Sequence, residues 1–209
     1  RETWPFFIKA SLVDFQNEAI MNGFVFPAKG GHIMLQLVRI TSTFPQLDQV
    51  EALDQEAFPA KEYLSPKAQI QLAAKGDFDF WALEEQGRFV GFMSVLRYEK
   101  LAYLFFLAIA KDRRSQGYGG QALALFKDHY PAYAHVVDME KADPDAENAA
   151  QRILRQRFYE KNGYHPTGKY LRYLTVDYEI FSLEQSFDFS SFQRMMARLD
   201  IPDFHLRYF

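Results

Sequence analysis

Arg113-Arg114-Ser115-Gln116-Gly117-Tyr118-Gly119-Gly120 is the stretch on which the reading of this chain turns. The run Leu101–Ala110 before it is apolar throughout, and Gln121–His129 after it has the make-up of a helix. The order is therefore strand, glycine turn, helix. Glycines without Cβ atoms let a backbone curl tightly and approach a ligand closely. The amino end of the following helix leaves N–H groups without intrahelical partners, and its dipole favours an anion. Arg113 and Arg114 add positive charge beside it. On local spacing alone, the stretch also reads as a tight turn with solvated arginines. It lacks the Gly-x-Gly-x-x-Gly dinucleotide fingerprint, and no Gly-Lys-Ser/Thr follows as in a nucleotide phosphate loop.

Working outward, Phe158-Tyr159-Glu160-Lys161-Asn162-Gly163-Tyr164 closes a later helix. In structural terms Phe158 packs inside, Gly163 caps and Tyr164 closes the core. Upstream, the alternating Met34–Ile40 predicts a first strand. Thr43 is placed to cap a helix, with Gln46 as reciprocal partner and Leu47, Val50, Leu53, Ala57 and Phe58 as its buried stripe. Pro59 disrupts that helix. Ser65-Pro66 opens another, ended by Gly76. Phe78–Glu84 and Phe89–Tyr98 predict a hairpin, and Ala102–Ala110 a central strand covered on both faces.

After the glycine turn and helix Gly119–His129, His135–Met139 is a short strand. Asp143-Pro144 opens a helix with Ala146, Ala149, Ala150, Ile153, Leu154 and Phe158 inward. Strands follow near Gly168–Leu174 and Val176–Leu183, and Phe189–Leu199 reads as a final amphipathic helix. One mixed sheet with helices on both faces is the economical α/β solution.

The 209 residues suffice for one domain with a sizeable core, and 21 Phe and 12 Tyr supply material for it. A net charge of -3 gives no general attraction to nucleic acid. The absence of cysteine excludes disulfides, thiolate metal sites and a cysteine nucleophile. No run is long and apolar enough for a membrane helix, and the opening lacks the order of a signal peptide, so a cytoplasmic location without membrane contact is expected. Residues 1–33, with Pro5, Pro27 and Gly30-Gly31, read as an N-terminal extension or expression remnant. Their aromatic side chains are expected to pack, with a partner subunit of a homodimer as one candidate surface. Residues 34–183 read as the main domain and residues 184–209 as a tail with a short helix. His129, His135 and His165 form no recognisable metal pattern, and no metal is expected. Asp77 and Asp79, alternating with Phe78 and Phe80, read as the polar face of a strand.

Taken together, the two motifs resemble the GCN5-related N-acetyltransferase (GNAT) superfamily in its bacterial small-domain form. The likeness covers about residues 34–183. Leu107–Gly119 matches the superfamily's strand and pyrophosphate loop, and the pattern Arg/Gln-x-x-Gly-x-Gly/Ala falls on Arg114, Gly117 and Gly119. The resemblance implies a mostly antiparallel sheet in which His135–Met139 splays from Ala102–Ala110 to open a cofactor cleft. Main-chain N–H groups of Gln116, Gly117, Tyr118, Gly119 and Gly120, with Arg114 beside them, would hold the coenzyme A pyrophosphate. The edge at Leu107, Ala108 and Ile109 would pair with the pantetheine arm. Tyr159 falls where the superfamily often has a tyrosine that protonates the leaving thiolate; its other reading is an orienting hydrogen bond.

This chain departs from its relatives in the helix carrying Tyr159. Many have Asn seven residues before the tyrosine and Ala four before it, where this chain has Arg152 and Arg155. Those arginines either meet acidic groups or form a solvated face. Asn148, lying earlier, is the candidate contact to the pantetheine arm.

The resemblance implies acetyl transfer from acetyl-CoA, a cosubstrate and not a tightly bound cofactor, to a primary amine by direct attack in a ternary complex. Glu140, just beyond His135–Met139, is the preferred general base through water; its other reading is a surface carboxylate. Glu84, Glu85 and Asp138 are further candidates. Acidic residues near the cleft favour a cationic acceptor, whether small molecule or peptide, and aromatics within Phe44–Tyr63 would shape its pocket. The competing classes are a noncatalytic acyl-CoA-binding regulatory module and a structural interaction protein.

Overall fold

A computed structural model describes residues 35–58, 64–199 and 205–209. The expected extension, Met34, Pro59 and Tyr63 lie outside the described residues. The elements are β1 (Gln36–Arg39), α1 (Leu47–Ala57), α2 (Pro66–Ala73), β2 (Phe78–Glu85), β3 (Arg88–Tyr98), β4 (Leu101–Ile109), α3 (Tyr118–His129), β5 (Ala134–Glu140), α4 (Ala149–Lys161), β6 (His165–Tyr173), β7 (Val176–Ser182), α5 (Phe189–Ala197) and β8 (Leu206–Tyr208). Among the described residues one sheet runs β1-β2-β3-β4-β5-β7-β6-β8. Every neighbouring pair is antiparallel except β4 and β5.

The sheet has a core on each face. On one, Val50 and Leu53 of α1 and Phe192, Met195 and Met196 of α5 pack with Phe80, Phe92 and Phe106, and Ile70 of α2 joins them. On the other, Ala122, Leu123 and Phe126 of α3 and Tyr159 of α4 pack with Leu83, Leu107 and Val137. Strand β4 is buried along its whole length, as its unbroken apolar run requires. The stretch beyond Leu183 belongs to this assembly. Phe192 of α5 meets Tyr103 with ring centroids 5.1 Å apart, and β8 extends the sheet beside β6.

Two helix starts differ from the sequence reading. α1 begins at Leu47 after Gln46, not after Thr43. Pro45 disfavours helical geometry at Phe44, so a helix cannot run through from Thr43. Gln46 instead donates its side-chain amide to the Gly87 carbonyl at 3.0 Å. α4 begins at Ala149, not at Pro144. Asp143 accepts the Asp145 N–H at 3.0 Å and closes a local turn, so the helix starts later. The Ser65 start holds: its hydroxyl accepts the Ala68 N–H, with Pro66 in the first turn.

Asp79 also differs. It is buried, not part of a solvated polar face, and accepts from Arg39 at 3.2 Å, Arg97 at 2.6 Å and Tyr130 at 2.9 Å. Polar partners from three elements compensate its loss of water.

Candidate active site

β4 and β5 pair only through Leu101–Tyr103 and Ala134–Val136. Beyond that point β5 follows β7, pairing with it from Val136 to Glu140. β4 keeps its pairing with β3, with Phe105 as an extra residue where Ser94 faces Phe106 and Val95 faces Leu104. Such a bulge bends a strand and increases its twist. The two parallel strands therefore part, and among the described residues no strand pairs with that edge of the later half of β4.

Strand alternation tells which groups line that edge. The Ala110 N–H bonds to the Val90 carbonyl at 2.8 Å, so Ala110, Ala108 and Phe106 turn their main chain toward β3. Leu107 and Ile109 turn theirs toward the gap. The Ile109 carbonyl accepts from Arg114 Nε at 2.9 Å, while Arg114 Nη2 reaches Glu56 of α1 at 2.8 Å. Arg114 thus fastens the glycine turn to β4 and α1 together.

The turn itself is exposed at Ser115, Gln116 and Gly117. Gly117 has φ +86°, and a Cβ built there would meet nothing within 4 Å. The first main-chain bond of α3 runs from the Gln121 N–H to the Gly117 carbonyl at 3.2 Å. The N–H groups of Tyr118, Gly119 and Gly120 consequently have no partner inside the helix. The Tyr118 ring is buried, so that residue offers the turn its main chain only. Gln116 turns its side-chain amide back to the Asp112 carbonyl at 2.8 Å. The result is an open cradle of main-chain donors at a positive helix end.

A Gly117→Val change should weaken coenzyme A binding by at least ~10-fold, or about 1.4 kcal/mol. It sets a branched side chain beside the cradle and forces it into the left-handed region, which costs about 1–2 kcal/mol of strain. Calorimetric titration with coenzyme A and a melting curve check both parts; unchanged affinity would remove the cradle from binding.

Tyr159 stands on the α4 side of the sheet, wholly buried, and its hydroxyl has no hydrogen-bond partner among the described residues. Its ring lies edge-on to Tyr164 at 5.7 Å. Burial pushes the hydroxyl well above its ordinary pKa, with Arg155 opposing and Asp138 adding to the rise. At neutral pH it keeps its proton and, among the described residues, has no group to give it to. The Tyr164 hydroxyl is likewise buried without a partner among the described residues.

Glu140 is the hub of a buried ion-pair network. It pairs with Arg155 at 2.9 Å and Arg152 at 3.1 Å, and accepts from Asn148 at 3.1 Å. Burial raises its pKa, and Arg155 and Arg152 oppose the rise. Asn148, the candidate for a pantetheine contact, spends its amide on Glu140, while its oxygen accepts from Arg152 at 2.8 Å. The two arginines therefore meet an acidic group and are not a solvated face. This also corrects the inner face of α4: Arg155 and Tyr159 are buried, and Ile153 is 44% exposed.

The other acidic candidates are dispersed. Asp138 is buried and accepts from the Tyr103 hydroxyl at 2.9 Å. Glu84 and Glu85 are half-buried at the end of β2, where Glu85 bonds to Tyr118. His135 pairs through Nδ1 with Glu184 at 3.0 Å. The sequence reading passed over a further buried carboxyl, Asp54 of α1. The signal was present: Asp54 lies four residues after Val50 and four before Phe58, on the inward stripe.

A family model described as an acetyltransferase (GNAT) domain matches residues 76–166. No curated protein gives a significant sequence match. Among solved structures, a GNAT-family acetyltransferase from Bacteroides thetaiotaomicron is 21% identical with a TM-score of 0.57, covering 76% of this chain and 92% of its own. The ribosomal-protein-S18-alanine N-acetyltransferase from Escherichia coli is 22% identical with a TM-score of 0.53, over 74% of this chain and 96% of its own. An aminoglycoside 6'-N-acetyltransferase complexed with coenzyme A is 14% identical with a TM-score of 0.54, over 73% of this chain and 99% of its own. These likenesses agree with the mostly antiparallel sheet: the chain shares the fold of these acetyltransferases, and its residues 76–166 match the GNAT acetyltransferase domain model.

Proposed function

We propose that this protein transfers an acetyl group from acetyl-CoA to a primary amine by direct attack in a ternary complex. The observation that carries the reading is one alignment. N–H groups without intrahelical partners at the start of α3 adjoin the edge of β4 that no strand among the described residues pairs, and the buried Tyr159 hydroxyl, without a partner among those residues, lies on the α4 side of the same sheet. The cradle binds the diphosphate through the N–H groups of Gln116, Gly117, Tyr118, Gly119 and Gly120. The Leu107 main chain orients the amide-bearing arm as an added strand would. Tyr159 gives its proton to the departing thiolate. Glu140 holds α4, and with it Tyr159, against β5 through Arg155 and Arg152. The amine class is supported by two of the similar structures, whose names specify N-acetylation of a protein alanine and of an aminoglycoside.

The test is release of free coenzyme A thiol from acetyl-CoA across a panel of amines, including peptides with free amino ends, polyamines and amino sugars. Saturable turnover with at least one amine is the expected outcome. Tight coenzyme A binding without any turnover points to a regulatory module, and absence of binding removes both readings.

A further inference from the structure

Four carboxyl side chains are buried among the described residues: Asp54, Asp79, Asp138 and Glu140. Asp79 is held by two arginines and a tyrosine, Asp138 accepts from Tyr103, and Glu140 is paired with two arginines. Asp54 differs. It is 0% exposed, and neither of its oxygens has a hydrogen-bond partner among the described residues. A buried polar group left in that state is costly, so its place in the fold requires an explanation.

Its position supplies one. One helical turn after Asp54, Phe58 packs on Phe106 of β4 with ring centroids 4.6 Å apart. Two residues after it, Glu56 binds Arg114 of the glycine turn. α1 therefore lies over the half of β4 whose edge is open, on the face opposite Tyr159. A thioester lying between the parted strands would have the phenol on one side and this carboxyl on the other.

We propose that Asp54 is the acceptor-side catalytic residue, pairing with an alkylammonium acceptor and taking the proton that frees its nitrogen for attack. This rests on the acetyl-transfer reading and deepens it by naming the acceptor class as a cationic aliphatic amine. The proton inventory closes. Asp54 removes one proton from R–NH3+, and the neutral nitrogen bonds to the acetyl carbon as the carbon–sulfur bond breaks. The thiolate takes the Tyr159 proton, and Tyr159 recovers the second proton from the nitrogen through water. Asp54, having given its own proton to solvent when the ammonium paired with it, ends the cycle in its acid form, and the products are amide, thiol and one proton.

The local electrostatics suit the task. Burial, with Glu51 adding to it, pushes the Asp54 carboxyl up to about 8. On the face of β3 and β4 that α1 covers, Phe92 and Phe106 are apolar, Ser94 bonds the uncharged Gln69 of α2, and the Tyr103 hydroxyl is engaged by Asp138. An empty site therefore holds the acid form near neutral pH, and an arriving ammonium ionises it by pairing.

The experiment compares wild type with Asp54→Asn on two acceptors, an alkylammonium and a weakly basic aromatic amine that is neutral at the assay pH. The variant should lose about 100-fold in kcat/KM for the alkylammonium and far less for the neutral amine. Its melting temperature should rise, more at pH 9 than at pH 5. The carboxylate's desolvation penalty is absent below the unfolded pKa, grows as pH rises and is full above about 8. A variant as active as wild type on the alkylammonium overturns the proposal, as does one that melts lower or fails to fold, which would mark Asp54 as a structural partner. Wild type inactive on every amine overturns the acetyl-transfer reading itself, so the two failures are distinguishable.

Discussion

Tyr159→Phe should lower kcat for acetyl transfer by about 100- to 1,000-fold, the range of a lost general acid. Its affinity for coenzyme A should stay within about twofold, because the cradle and the β4 edge are main-chain features that the substitution leaves alone. Stability should not fall. The hydroxyl is buried without a partner among the described residues, so the folded protein already bears its desolvation cost, about 1–3 kcal/mol for such a group. Phenylalanine fills the same space without that cost, and the melting temperature is expected to hold or rise. A stability gain beside a loss of rate is the signature of a group kept for chemistry. Single-turnover rates and a melting curve measure both; an unchanged rate under chemistry-limited conditions would take the acid role from Tyr159.

Glu140→Gln should destabilise the fold by about 3–5 kcal/mol, because it leaves the buried Arg155 and the half-buried Arg152 without their counter-charge. That is a large part of the 5–15 kcal/mol by which a domain is usually stable. Arg155 and Arg152 come from α4, and Glu140 ends β5, so the damage should concentrate where α4 docks. Urea unfolding of Glu140→Gln and of the double change Glu140→Gln with Arg155→Met separates the causes. The second substitution removes one stranded charge and should restore part of the loss. If Glu140→Gln unfolds like wild type and only its pH–rate profile changes, Glu140 is the proton acceptor and not the anchor of α4.

These two residues also show what the sequence made legible. The glycine turn and the apolar β4 run declare their structure because each depends on local chemistry: absent Cβ atoms in one, burial on both faces in the other. The parting of β4 and β5 was expected only through resemblance, since it arises from a bulge at Phe105 and the competing pull of β7. The inward face of α4 differs from the expected one because hydrophobicity sorts arginine outward. Here Arg155 is buried by a carboxylate on another element, and no periodicity within α4 carries that information. The bond from Asn148 to Glu140 is equally illegible within α4, because its partner comes from another element. Asp54 went unremarked because an acidic residue in an amphipathic helix normally marks the wet face. β8 is three residues long and acquires strand geometry only from its pairing with β6.

The most direct test of the account is titration of the isotope-labelled protein with coenzyme A, followed through its backbone amide resonances. Saturable shifts are expected at Gly117, Tyr118, Gly119, Gly120 and Leu107, all with one dissociation constant. Coenzyme A that binds while those amides stay in place, or that does not bind at all, would contradict it.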